Sequence, residues 1–172
     1  MNRKPMMNNT LRFLGLVFFQ VLILNNVRLG GYINPFLYIL FIIKIPSNVP
    51  KWGVLCLSFA LGFSVDIFST TMGFHAFSAT FAGLCRIQLF DMFFSKHDRE
   101  TTFTPGLQMG NFGTFALYSF VIILAHSLCY FFIEIFILEE IFEVIMRAVL
   151  SAIVTAALAL FVEFLFKFTK GG

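Results

Sequence analysis

Long apolar runs alternate with short polar breaks along this chain, and the breaks mark out the elements. Leu11 to Val27 is the first apolar run, after a polar start that carries Arg3 and Lys4. Tyr32 to Ile45 is the second, at about 14 residues short for a helix that crosses a bilayer. Pro46 to Pro50 closes it in a tight turn. Gly53 to Phe68 and Phe74 to Phe93 form a hairpin around the polar break Ser69–Gly73. Ser95 to Gly113 is the longest polar stretch, mixes charges with Pro and Gly, and reads as a loop. Thr114 to Phe132 and Val144 to Phe166 are the last two runs. Between them, Glu134, Glu139, Glu140 and Glu143 interleave with apolar residues, either as an amphipathic surface helix or as helical extensions of the neighbouring runs. The pattern predicts one all-α polytopic membrane domain over residues 1–172, with spans at about 11–27, 29–45, 53–68, 74–93, 114–132 and 144–166 packed in one bundle.

Composition agrees. Of the 172 residues 59% are hydrophobic and 12% charged, against roughly 25% charged in soluble domains. A mean hydropathy of +0.88 marks an integral membrane protein and leaves no room for a separate soluble domain. The net charge of +3 does not point to nucleic acid, because the basic residues lie in short loops, where they set topology. With six spans, Arg3, Lys4, Arg12, Lys44, Lys51, Lys96, Arg99, Lys167 and Lys170 share the cytoplasmic side, and only Arg28 and Arg147 fall outside. That asymmetry puts both termini in the cytoplasm. It also makes the short second run a span, with a start near Leu29 and a snorkelling Lys44. The N-terminal run resembles a signal peptide, but Leu24-Asn25-Asn26-Val27-Arg28 lacks a small-x-small cleavage site, so it reads as an uncleaved span. Cys56, Cys85 and Cys129 are far apart inside apolar runs and read as small membrane-buried side chains. The 26 Phe residues, dispersed through the spans, read as packing and lipid-facing surface.

Polar residues inside apolar runs are costly and therefore informative. Ser58, Gly62 and Asp66 follow at steps of four and share one helix face, and Ala79 and Gly83 repeat the spacing on the second arm of the hairpin. Asp66 has two readings: an assembly determinant bonded to Thr70, Thr71 or His75, or a helix-end carboxylate hydrated at the interface. Arg86 either snorkels or forms an intramembrane charge pair with Glu163, and Glu163 can alternatively pair with Lys167. His126 reads as a hydrogen-bonded packing histidine, with a proton relay as the alternative. Gln20 faces other helices. Ala148, Ala152 and Ala156, with Ser151, Thr155 and Ala159, form small-residue stripes that let helices approach closely. His75 and Asp66 alone do not make a metal site. No nucleophile with a base, phosphate-binding glycine loop or metalloprotease motif is present, so no enzyme activity and no cofactor are expected.

The hairpin and the whole-chain layout resemble the rod-shape-determining MreD family. The likeness rests on Gly62-Phe63-Ser64-Val65-Asp66 near the end of one span and Gly73-Phe74-His75-Ala76 opening the next. Gln20, Asn25-Asn26 and Asn34-Pro35-Phe36 also match. The resemblance implies a multi-pass protein of the bacterial inner membrane that acts as a non-enzymatic scaffold or regulator of cell-wall elongation. It implies MreC, a bitopic protein, as direct partner, and the MreB filament, RodA and the RodA partner transpeptidase as members of the same assembly. It further implies a bundle like the substrate-binding components of energy-coupling-factor transporters, with Gly62, Asp66 and Gly73 as packing and assembly positions. The rivals are such a substrate-binding component itself and a small ion or proton transporter using Asp66 and His126. The first rival docks its coupling subunit through A-x-x-x-A in span one, which here contains no alanine.

Overall fold

A computed structural model describes residues 3–26, 32–94, 103–107, 112–135 and 141–170, with backbone alone at 3–9 and 167–170. Arg28, Lys96, Arg99, Glu139 and Glu140, and the side chains of Arg3, Lys4, Lys167 and Lys170, lie outside the described residues, and so do residues 136–140 of the acidic segment between the last two runs. The described chain is helical. Its elements are α1 (Arg3–Leu22), α2 (Ile39–Ile43), α3 (Lys51–Ser69), α4 (Phe74–Phe93), α5 (Phe112–Ile135) and α6 (Ile141–Lys170), with a 3-10 turn at Leu24–Asn26. Helix α3 packs most extensively on α4, α5 on α6, and α4 on α5.

Among the described residues, three helices are long and apolar enough to cross a membrane: Lys51–Ser69, Phe112–Ile135 and, within α6, Ile141–Phe166. The apolar part of α1 is shorter, Thr10–Asn26. Helix α4 has the length but carries His75, Arg86, Gln88 and Asp91. Side chains that point away from the bundle are large and apolar, Phe59, Phe63, Phe77, Phe81, Phe161 and Phe164 among them, as lipid contact requires.

The second apolar run departs from the expected span over 29–45. Only the five residues Ile39–Ile43 are helical; Asn34–Phe36 is extended or irregular, and turns follow at both ends. Yet Phe36, Leu37, Tyr38, Ile39, Leu40, Phe41, Ile42 and Ile43 are all buried. Irregular backbone survives at membrane depth only when protein surrounds it and supplies its hydrogen bonds. Here α6 does so: the N–H of Asn34 donates to Ser151 Oγ (3.0 Å) and that of Phe36 to Thr155 Oγ1 (3.0 Å). Further on, Lys44 meets Glu163. The segment thus runs parallel to α6 from Ser151 to Glu163, about 18 Å at 1.5 Å per helical residue. It forms a plug with every surrounding helix contributing to its wall.

Candidate functional site

The polar residues that stand out in the apolar sequence converge on this plug. From α1, Gln20 Nε2 donates to Pro35 O (2.9 Å) and to Asn25 Oδ1 (2.9 Å). From α4 and α5, His75 Nδ1 and His126 Nε2 lie 3.1 Å and 2.7 Å from the Tyr38 hydroxyl. A phenol has one proton to give, so it donates to one ring and accepts N–H from the other; because the contacting atoms are Nδ1 of His75 and Nε2 of His126, the two neutral rings then carry the same tautomer. Phe36 packs on all three rings and Tyr130 on the two imidazoles, with 4.8 Å between the Phe36 and Tyr130 centroids. Tyr38 and His126 are fully buried. His126 is therefore a hydrogen-bonded core residue that clamps the plug.

At the opposite end of the plug, Arg86 donates from Nη2 to the Ile45 carbonyl, and its guanidinium lies 4.8 Å over the Phe90 ring. The expected Arg86–Glu163 pair does not form. Glu163 instead takes Lys44, whose Nζ lies 2.6 Å and 2.5 Å from the two carboxylate oxygens, with both side chains largely buried. Lys44 therefore does not snorkel. The plug brings it to Glu163, and the plug's last carbonyl claims Arg86. Residues 103–107 fold over this pair: Phe103 and Ser47 exchange hydrogen bonds of 2.8 Å and 2.9 Å, and a side chain at Gly106 would strike Glu163.

The Ser58–Arg86 hairpin is a tight helical joint. Any side chain at Gly62 would overlap the backbone of His75 and Ala76, so α3 and α4 cross in contact there. Gly83 lies likewise against Ser58, and Ala79 is fully buried. Gly73, at φ 91°, sits in the left-handed region and opens α4 without a side chain to cap it. Asp66 supplies the missing cap from the neighbouring helix. Its Oδ1 accepts the N–H of His75 (3.1 Å) and the Thr71 hydroxyl, and its Oδ2 accepts the N–H of Ala76 (2.8 Å). Those are the second and third helical positions, whose N–H groups have no partner within the helix. Asp66 is 4% exposed, so it is not a hydrated helix-end carboxylate.

Beside this joint lies a cavity of about 390 Å³, walled by α1, the plug, the 69–71 break, α5 and α6. Its lining is mostly polar: Gln20, Asn26 and Asn34 from one side, Glu134 and Arg147 from the other. Arg147 pairs with Glu143 at i, i+4, as their spacing predicts, and lies 5.0 Å over the Tyr32 ring. Sequence reasoning missed Tyr38 and this cavity, and took Asn34 only as part of the Asn34-Pro35-Phe36 likeness. The polar cluster of Asn25, Asn26 and Asn34 at the ends of two apolar runs was the available signal.

Among the described residues no group of three or more His, Cys, Asp or Glu is placed to hold a metal. Cys56, Cys85 and Cys129 are free thiols. No family profile, curated protein or solved structure matches this chain.

Proposed function

We propose that this protein is a non-enzymatic membrane scaffold of the MreD kind, working in bacterial cell-wall elongation. In this reading it lies in the inner membrane with both termini cytoplasmic, binds the bitopic protein MreC, and through it joins the MreB filament, RodA and the RodA partner transpeptidase. The observation that carries the reading is the engagement of both Asp66 carboxylate oxygens. A carboxylate that accepts two helix N–H groups and a hydroxyl holds a joint together and has little capacity left for proton transfer. Gly62 and Gly73, the other positions that the family resemblance marks, belong to the same joint. The outward faces of α3 and α4, with Phe59, Phe63, Phe77 and Phe81, give a partner's single span an apolar surface to pack on.

A second reading, a substrate-binding component of a vitamin transporter, is favoured by the polar cavity. Co-purification from cells in mild detergent, with partners identified by mass, separates the two. Recovery of a bitopic protein with cell-wall synthases is the expected result; recovery of a pair of nucleotide-binding ATPases overturns the scaffold.

A further inference from the structure

The Tyr38 hydroxyl and the two histidine rings that meet it are buried titratable groups that the proposed function leaves unused. They tie three elements together, since Tyr38 comes from the plug, His75 from α4 and His126 from α5. Tyr38 and His126 are fully buried, whereas His75 also lines the cavity of about 390 Å³. Tyr38 takes the Nδ1 of His75 and Asp66 takes its backbone N–H, which leaves Nε2 as the side-chain nitrogen of His75 to meet the cavity. His126 Nδ1, by contrast, is buried and has no partner among the described residues.

A count of protons decides how this cluster is arranged. When all three groups are neutral, each carries one exchangeable proton. Two of these protons make the hydrogen bonds at Tyr38. The third falls either on His126 Nδ1, where nothing accepts it, or on His75 Nε2, where the cavity can. A buried N–H without an acceptor is rare in proteins. The arrangement that avoids one has His126 Nε2–H donating to the Tyr38 oxygen, Tyr38 O–H donating to His75 Nδ1, and His75 Nε2–H facing the cavity.

One more proton has no place in this arrangement. On His126 Nδ1 it strands a buried donor. On His75 Nδ1 it makes both rings present N–H to the phenol oxygen, and the Tyr38 proton loses its acceptor. If the phenol proton turns to His126 Nε2 instead, the His126 proton moves to Nδ1 and is stranded there. Every placement leaves a buried donor unpaired and adds a buried charge, and both weaken the contact. We propose that the Tyr38–His75–His126 cluster is an acid-released latch: neutral, it ties the plug to α4 and α5, and a proton taken up from the cavity side loosens it. The other titratable and charged groups around it, among the described residues, come from three helices. Asp66 of α3 holds the backbone of His75 and Ala76. Helix α5 adds Cys129 and Tyr130 near Tyr38, and Glu134 of α5 and Arg147 of α6 line the cavity. Helix α1 contributes neutral amides there, Gln20 among them. The proposal rests on this geometry and is independent of the scaffold reading.

The test uses the purified full chain in detergent at about pH 8 and about pH 5, limits between which an ordinary histidine changes charge. Nitrogen NMR of isotope-labelled histidine reads the rings, which the single variants below assign. At the higher pH both rings are expected to be neutral with the proton on Nε2. Hydrogen exchange at Leu40 and Phe41, whose N–H groups donate to the Leu37 and Tyr38 carbonyls, reports opening of the plug. Corrected for the intrinsic rate, exchange should be roughly tenfold or more faster at the lower pH, because the opened histidines take protons that the latched cluster has no place for. Tyr38→Phe should raise exchange at the higher pH toward the wild-type value at the lower. His75→Gln and His126→Gln should each shrink the pH effect, and the double variant should abolish it. The wild-type measurements decide the matter by themselves if a variant folds poorly. A proton on Nδ1 of either ring at the higher pH, a charged ring there, exchange that ignores pH, or a pH effect undiminished in the double variant would each overturn the proposal.

Discussion

Asp66 shows how one side chain can look like chemistry in the sequence and turn out to be construction. An acid in an apolar run has to be stabilised, and the commonest expectation is a functional proton or an interface with water. Here the stabilisation comes from the N-terminus of α4, where free N–H groups and the helix dipole favour negative charge. Gly73 cannot cap its own helix, so Asp66 does so across the joint. Replacing it by leucine removes two charge-assisted backbone bonds and strands their donors, a loss of about 2–4 kcal/mol. Asp66→Asn keeps one carbonyl acceptor and should lose roughly half as much. Thermal unfolding in detergent should therefore rank wild type above Asp66→Asn above Asp66→Leu. A leucine variant as stable as wild type would show that the cap contributes nothing. The i, i+4 spacing of Ser58, Gly62 and Asp66 was readable in the sequence, because helical geometry alone puts them on one face. The partner of Asp66 was not, since backbone N–H groups carry no sequence signature.

The plug marks the limit of legibility at the scale of an element. A continuous apolar run such as Tyr32–Ile45 announces burial on all sides, but periodicity cannot tell a buried helix from buried irregular chain. What decides it is the hydroxyls of Ser151 and Thr155, more than a hundred residues away, that accept the backbone N–H groups of Asn34 and Phe36. The small stripe on α6 was legible as a close-packing surface, and it is one: Ala148, Ser151, Ala152 and Thr155 are all buried. Its hydrogen-bonding role was hidden because serine and threonine serve equally as small residues. Thr155→Val keeps shape and removes the acceptor for the buried Phe36 N–H. It should cost about 1–3 kcal/mol, the desolvation penalty of an unsatisfied buried group. Ala156→Val, one position on, changes packing without touching that bond. Hydrogen exchange at the Phe36 amide gives the direct readout: faster exchange in Thr155→Val, and no specific change at that amide in Ala156→Val.

Across the whole molecule, the long described helices follow the apolar runs of the sequence, three of them are long and apolar enough to cross a membrane, and the charges near their ends could be listed in advance. Pairing among those charges could not, because it depends on the path of the plug. A helical span over 29–45 would leave Lys44 to reach the interface by snorkelling. The irregular path instead delivers it to Glu163, 119 residues later, with Arg86 taken by Ile45 O. The pair also anchors residues 103–107, since Gly106 rests against Glu163 and Phe103 bonds to Ser47. Lys44→Leu takes the ion-pair partner from a buried carboxylate and Glu163→Leu takes it from a buried ammonium, and each should cost about 3–5 kcal/mol. The double replacement removes both charges and should recover most of that loss, because the desolvation cost disappears along with the attraction. The same cycle predicts a change far from the mutated atoms. With the pair broken, the 103–107 segment loses its footing, so limited proteolysis should cut the 95–113 connection faster in each single variant and at close to the wild-type rate in the double. If the singles are as stable as wild type, or if the double is no more stable than the worse single, the plug end is not held by this pair.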